Sequence, residues 1–237
     1  MEEFENALTF RTRQLKTDDI LTDVQYRDIA GLIYATDSFI FPALFSGASD
    51  TRIAAENVIS YVLKKGTDHM YCKEKLFICY EGSELKGSKI VGMILWYAGR
   101  ILWNYEDFIA TAAEAGVELI HDNVAAINKT FFVDQSLDDL NRDVSCDKSD
   151  PESKSDTLTI VNLCINQSYR GRGVGGLMLS EYISLYNDHP MELCVLKNNP
   201  PAVKLYTSCG FKVVSEYPGF SESQDKPICY GMVRSVS

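Results

Sequence analysis

"YRGRGVGG", Tyr169 to Gly176, sets four glycines and two arginines into eight consecutive positions. It follows "TLTIVNLCI", a nearly continuous apolar run of the kind that forms a central strand buried on both faces. It leads into "GGLMLSEYISLYND", where Leu177, Leu179, Tyr182, Ile183 and Tyr186 recur on or near one helical face. A glycine-rich turn between strand and helix suits a phosphate. Glycine lets the backbone turn sharply and approach a ligand, and the helix N-terminus offers unpaired N–H groups at the positive end of its dipole. Two spacings fit the stretch. Gly171-x-Gly173-x-x-Gly176 is that of a dinucleotide-binding turn, and Arg170-x-x-Gly173-x-Gly175 is that of a loop wrapping a pyrophosphate.

Context separates them. A dinucleotide fold places this loop after its first strand, with two βαβ halves to follow and an acid closing the second strand. Here only Gly176 to Ser237 remain after the loop. The candidate acid, Glu192, opens the next strand, "ELCVL", and Lys197 and Asn198 stand where the acid belongs. The dinucleotide reading fails.

Working outward, "LTFRTRQL" alternates like a short strand, and "TDDILTDVQYRDIAGLIYATD" places Ile20, Val24, Ile29, Leu32 and Ile33 near helical spacing. "DTRIAAENVISYVLKKG" ends on lysines before a glycine, as helix C-termini do. "KLFICYEGSELKGSKIVGMILWYAG" reads as a β-hairpin. "NYEDFIATAAEAGVELIHDNVAAINKTFF" is alanine-rich and helical in character, and Val133 to Asp156 carries eight acids against three bases as a surface loop. After the glycine loop come "MELCVL" as a buried strand, "NPPAVKLYTSCG" as a helix opened by proline, and "FKVVSEY" and "ICYGMVR" as strands. The economical solution is one mixed sheet with flanking helices, read as a single domain over 1–237 with an insertion at about 101–156 between the third and fourth strands.

A net charge of −10 argues against nucleic acid, whose phosphates want a basic stripe. The seven cysteines are odd in number and irregularly spaced, with no C-x-x-C pair, and several, as in "ELCVL", sit in apolar runs as small hydrophobes. Neither a disulfide framework nor a metal site is expected. "MEEFENALTF" has no apolar signal-type core and no run reaches transmembrane length, so the expected location is cytoplasmic and off the membrane.

Downstream of the loop, Asn199 to Phe211 reads N-x-x-A-x-x-L-Y-x-x-x-G-F. Together with "LCINQSYRGRGVGGLML" this resembles the GNAT superfamily of acyl-CoA-dependent N-acyltransferases, the motifs spanning about Leu158 to Phe211. The resemblance implies an α/β (α+β) fold: a mixed, mostly antiparallel central sheet flanked by helices, with one splayed parallel strand pair. It implies acetyl-CoA as acyl donor, held by the backbone of Leu163, Cys164 and Ile165 along the pantetheine arm and by main-chain amides from Arg170 through Gly171, Arg172, Gly173 and Val174 to Gly175 around the pyrophosphate. Gly171, Gly173 and Gly175 are needed for close approach or positive φ. Arg170 occupies the family's Gln/Arg position or is a solvated turn arginine. Asn199 is a helix cap or a hydrogen-bonding partner of the coenzyme arm.

Tyr206 matches the family's tyrosine near the coenzyme sulfur. There its phenol would protonate the leaving thiolate as general acid after direct attack by an amine in a ternary complex. Leu205, Gly210 and Phe211 read as structural. An alkylammonium must lose a proton before attack, yet "TIVNLCI" lacks the acid that many relatives carry there. Glu192, Asp156 and a water relay stay open as bases. On the acceptor side, "YATDSFIFPALF" holds Tyr34, Phe39 and Phe41 as wall or core, and Asp37 either caps a helix or attracts a cationic amine. The acceptor is an amine on a small molecule, peptide or protein, and the chain is monomer or homodimer. The competing reading is a non-catalytic acyl-CoA-binding or partner-binding module.

Overall fold

The computed structural model describes residues 9–36, 41, 44–45, 48–66, 71–98, 105–117, 156–218 and 228–236. Most of the 101–156 insertion, including nearly all of its acidic stretch, and Asp37 and Phe39 lie outside the described residues.

The elements run β1 (Phe10–Gln14), α1 (Asp23–Thr36), α2 (Thr51–Lys65), β2 (Leu76–Glu81), β3 (Lys89–Ala98), α3 (Tyr105–Glu114), β4 (Leu158–Ile165), α4 (Val174–Leu185), β5 (Met191–Leu196), α5 (Pro200–Ser208), β6 (Lys212–Pro218) and β7 (Ile228–Arg234). Seven strands form one sheet in the order β1-β2-β3-β4-β5-β7-β6. Neighbours are antiparallel except β4 and β5, which are parallel. This is the mixed, mostly antiparallel sheet expected.

A core packs each face. Helices α1 and α2 cover one with Ile29, Ile33, Val58, Ile59, Val62 and Leu63 against Ile78, Met93 and Leu95. On the other, α4 and α5 set Met178, Leu179, Tyr182 and Tyr206 against Phe77, Ile94, Ile160 and Leu193. Strand β2 shows why its sequence is continuously apolar. Leu76, Ile78 and Tyr80 serve the first core while Phe77 and Cys79 serve the second. Burial pushes the Cys79 thiol up to about 12, in keeping with a small hydrophobe.

Local signals set the helix ends. Asp50 caps α2 by accepting from the Ile53 amide at 3.0 Å, and Gly66 closes it in the left-handed region at φ 65°. Helix α1 starts later than the apolar spacing suggested. Thr22 and Gln25 form a reciprocal capping box, with the Thr22 amide donating to Gln25 Oε1 at 2.9 Å and the Gln25 amide to Thr22 Oγ1 at 3.3 Å. Ile20 therefore falls outside the helix, 90% exposed, and Val24 points outward, 58% exposed. Gln25 Nε2 is itself buried, donating to the carbonyls of Leu85 and Ser88 and fastening α1 to the β2–β3 hairpin.

Gly92 marks the tightest approach of helix to sheet. A Cβ there would stand 2.6 Å from Met178 Sδ, 2.7 Å from Ile165 Cδ1 and 3.2 Å from the Cys164 carbonyl oxygen. Gly92→Ala should overpack this seam and cost about 1–3 kcal/mol of stability. Urea denaturation is the check, and an unchanged midpoint would mean that α4 rides freely over β3.

Candidate active site

The β4–β5 pair is short. It holds three rungs, Leu158↔Met191, Thr159↔Glu192 and Ile160↔Leu193, and then pairing stops. The cause lies on the other edge of β4. Against β3 the register steps from Trp96↔Ile160 to Leu95↔Asn162, so Val161 is an extra residue in a bulge. A bulge bends its strand and increases the twist. Beyond it β4 stays with β3, β5 goes with β7, and a wedge opens between them.

The wedge exposes backbone. The Asn166 amide donates to the Val91 carbonyl at 2.8 Å, so alternation turns the backbone groups of Cys164 toward β3 and those of Leu163 and Ile165 toward the wedge. Of the three strand residues expected to offer main-chain groups, Cys164 is thus committed to the sheet. Its buried thiol is pushed up by desolvation, an effect opposed by the Arg170 guanidinium.

The glycine loop closes the upper end. Asn166 Oδ1 accepts from the Ser168 amide at 3.1 Å and starts a single 3₁₀ turn, Gln167–Tyr169. Gly171 and Gly173 follow at φ 75° and 79°, with nothing within 4 Å of where a Cβ would stand. Backbone conformation, not crowding, requires glycine there. Gly175 differs from the expectation. It lies inside α4, and a Cβ would meet Leu205 Cδ2 at 3.4 Å and Ile165 Cγ1 at 3.7 Å, ordinary contacts between α4, α5 and β4. Helix α4 begins at Val174 with no side chain capping it, and its first backbone bond runs from the Leu177 amide to the Gly173 carbonyl. The amides of Val174, Gly175 and Gly176 come before that bond, at the positive end of the helix. Leu177, expected near the buried face, is 37% exposed.

The loop arginines are tethered. Arg170 Nε donates to the Ile165 carbonyl at 3.1 Å, so it is more than a solvated turn arginine. The Arg172 guanidinium lies 5.5 Å from the centroid of the Tyr169 ring, and Lys89 Nζ lies 5.3 Å from it. The Tyr169 hydroxyl donates to Glu81 Oε2 at 2.6 Å, which is the main reason its phenol titrates above the ordinary value.

Helix α5 forms the other wall. Asn199 Oδ1 accepts from the Ala202 amide at 3.4 Å, the capping role, and proline follows at the first helical position. Tyr206 is 7% exposed, and its ring meets Phe211 edge-on at 5.9 Å. Burial first, and Cys194 second, push its phenol up to about 12. Among the described residues the wholly enclosed, unpartnered side-chain atoms are the Tyr182 hydroxyl and Arg234 Nη1, and the Tyr206 hydroxyl is not one of them. Gly210, at φ 89°, and the buried Phe211 are structural, as expected.

Of the candidate bases, Asp156 is exposed at the closed end of β4, with its carbonyl 3.0 Å from His189 Nδ1. Four residues of strand, ~13 Å, separate it from the point where the strands part. Glu192 is one residue from that point, half-buried, with Oε1 accepting from Thr159 Oγ1 at 2.8 Å. Phe41 is buried and stacks with Tyr34 at 6.0 Å as part of the core.

Sequence reasoning missed one group. Met191, Leu193 and Val195 enter the core under α4 and α5, so β5 turns Glu192, Cys194 and Leu196 to the opposite face. Cys194 is exposed, not the buried hydrophobe that "ELCVL" suggested. Tyr217 from β6 shares that face. Its register partner is Cys229, and its ring lies 3.4 Å from where a Gly231 Cβ would stand. Among the described residues no group of three or more His, Cys, Asp or Glu is placed to hold a metal ion, and no helix is long and apolar enough to cross a membrane.

Comparison with known proteins agrees with this geometry. Residues 63–211 match the Acetyltransferase (GNAT) family. Among solved structures, an N-acetyltransferase from Staphylococcus aureus Mu50 superposes with a TM-score of 0.57 at 16% identity, covering 94% of this chain and 99% of that one. A second acetyltransferase gives 0.60 at 14%, covering 96% and 100%. The NatC complex bound to Gag peptide and CoA gives 0.50 at 13%, covering 96% and 99%. At such identities the structural likeness bears on the fold alone. No curated protein matches the chain by sequence. The family match extends from the end of α2 through the parted strands and the glycine loop to Phe211, and on it the chain belongs to the GNAT acetyltransferase family.

Proposed function

We propose that this chain transfers an acyl group, acetyl in the simplest case, from acetyl-CoA to an amine by direct attack within a ternary complex. The parted β4–β5 pair supports this reading most strongly, because it leads a backbone edge at Leu163 and Ile165, without a partner strand and met only by Arg170 Nε at the Ile165 carbonyl, up to an uncapped helix N-terminus. The pantetheine amides would add to that edge as a short strand. The diphosphate would lie on the amides from Gly171 to Gly176, where two residues already hold positive φ. Arg170 and Arg172 would add charge around the phosphates, and Asn199 would use its Nδ2 while Oδ1 keeps the cap. The acyl carbonyl then stands in the wedge beside Tyr206, whose phenol stays protonated across the working pH range and is available to the departing thiolate.

Glu192 is the carboxylate we assign to the amine. Thr159 fixes one of its oxygens, leaving the other for the incoming ammonium, whose proton it removes directly or through water. A net charge of −10 suits a cationic acceptor, and a peptide is within the class, since the NatC complex of similar fold is bound to a peptide. Glu192→Gln should lower kcat for amine acetylation by about 10²-fold or more and leave CoA affinity in place, as read by thiol release and calorimetry. Calorimetry with CoA tests the donor site itself. No heat at millimolar CoA ends the enzyme reading. Binding without thiol release across a broad amine panel points to a non-catalytic acyl-CoA-binding module.

A further inference from the structure

The glycine loop is open where it bends and fastened where it begins. Gly171 and Gly173 have nothing within 4 Å of where a Cβ would stand, so packing on that side does not set the loop's course. Its far end is set by α4, where a Cβ on Gly175 would touch Leu205 and Ile165. Its near end is set by Tyr169, the last residue of the 3₁₀ turn.

Tyr169 sits on a row of three cross-strand partners. Phe10 of β1 faces Glu81 of β2, and Glu81 faces Lys89 of β3. Side chains alternate along a strand, so Glu81 shares the face of Phe77 and Cys79, the one beneath α4. Each partner meets a different part of the tyrosine. Phe10 meets the ring edge-on at 6.0 Å, Lys89 Nζ lies 5.3 Å from the ring centroid, and Glu81 Oε2 accepts from the hydroxyl at 2.6 Å. Arg172, three residues into the loop, brings its guanidinium to 5.5 Å from the same centroid. The ring therefore gathers two exposed cations at the start of the loop. Packing alone would be served by phenylalanine. The hydroxyl adds a bond to an ionised acceptor, which is shorter and about twice as strong as a neutral one.

We propose that Tyr169, latched by Glu81, is a positioning residue that holds the loop amides and Arg172 in place for the donor's diphosphate. The assignment rests on the donor position given under Proposed function. There the acyl group stands beside Tyr206 in the β4–β5 wedge, whereas Tyr169 packs over β1, β2 and β3. Its contribution falls on donor binding and not on the chemical step.

Tyr169→Phe keeps the ring and removes the latch. It should raise the Kd for CoA by about tenfold, the worth of a hydrogen bond to a charged group, with the thermal melt and kcat at saturating acetyl-CoA unchanged. The loss should be confined to donors that carry the diphosphate. With any amine the parent acetylates, kcat/KM should fall by the same factor for acetyl-CoA and hold for S-acetylpantetheine. A role in packing alone would lower both alike. Glu81→Gln and Glu81→Ala form the second arm. Both remove the same charge, but only glutamine keeps an acceptor for the phenol, so Glu81→Gln should bind CoA more tightly than Glu81→Ala. This comparison decides the matter if Tyr169→Phe melts early. CoA binding by Tyr169→Phe at the parent Kd, an equal loss with S-acetylpantetheine, or equal affinity of the two Glu81 variants overturns the proposal and leaves the donor site standing. A parent that binds no CoA overturns both.

Discussion

Replacement of Tyr206 by phenylalanine should lower kcat by about 10²–10⁴-fold, the usual worth of a positioned proton donor, while CoA affinity and thermal stability stay near those of the parent. The argument rests on what the substitution spares. Tyr206 is 7% exposed and its ring packs edge-on against Phe211, contacts a phenylalanine reproduces. Among the described residues no side chain hydrogen-bonds to the hydroxyl, so its removal strands no partner there. Only the proton is lost. Release of free thiol over time gives kcat, calorimetry gives the donor Kd, and a thermal melt confirms the fold. Unchanged kcat would remove Tyr206 from the chemistry and leave it as core.

The second large effect belongs to the loop. Gly173→Val should weaken donor binding by tenfold or more with little change in the rate of bound complex. At φ 79° a β-branched residue is strained by roughly 1–3 kcal/mol. A space free of neighbours within 4 Å offers no clash that repacking could relieve. The strain is relieved by moving the amides, and about 1.4 kcal/mol corresponds to each tenfold in Kd. Gly175→Ala is the contrast, with a Cβ in ordinary contact with Leu205 and Ile165, and it should bind the donor nearly as well as the parent. Titration of both variants with CoA separates backbone conformation from mere bulk. Equal losses would mean that the loop reads size.

Much of this was legible in the chain, for identifiable reasons. The β2–β3 hairpin declared itself because strands buried on both faces must be apolar at every position, and "LFICY" and "KIVGMILWYA" are nearly so. The loop and the N-x-x-A-x-x-L-Y segment could be read because backbone conformation and capping restrict residue type locally. What escaped depended on pairing between distant segments. The bulge at Val161 is set by how β4 meets β3, and no feature of "TIVNLCI" announces it. "MELCVL" reads as a buried strand, but only its odd positions, Met191, Leu193 and Val195, are buried, so Cys194 and Glu192 are hidden inside an apolar run. Tyr217 reaches Gly231 through a register shift between Val213 and Ser215, again a matter of tertiary pairing. Helix α1 was the avoidable miss, since Thr22-x-x-Gln25 is a capping box in plain sequence.

The bulge at Val161 bears on the lifetime of the molecule as well as its chemistry. A sheet interrupted at its centre forgoes cohesion that an uninterrupted one would have. Under the function proposed above, a coenzyme supplying that ladder would bind only the native chain, and by mass action it would add about 2.7 kcal/mol at a hundredfold excess over its Kd. Cellular abundance of this protein is therefore expected to track the coenzyme supply: cells depleted of pantothenate should clear it faster by proteolysis, and replenishment should restore its half-life without new transcription.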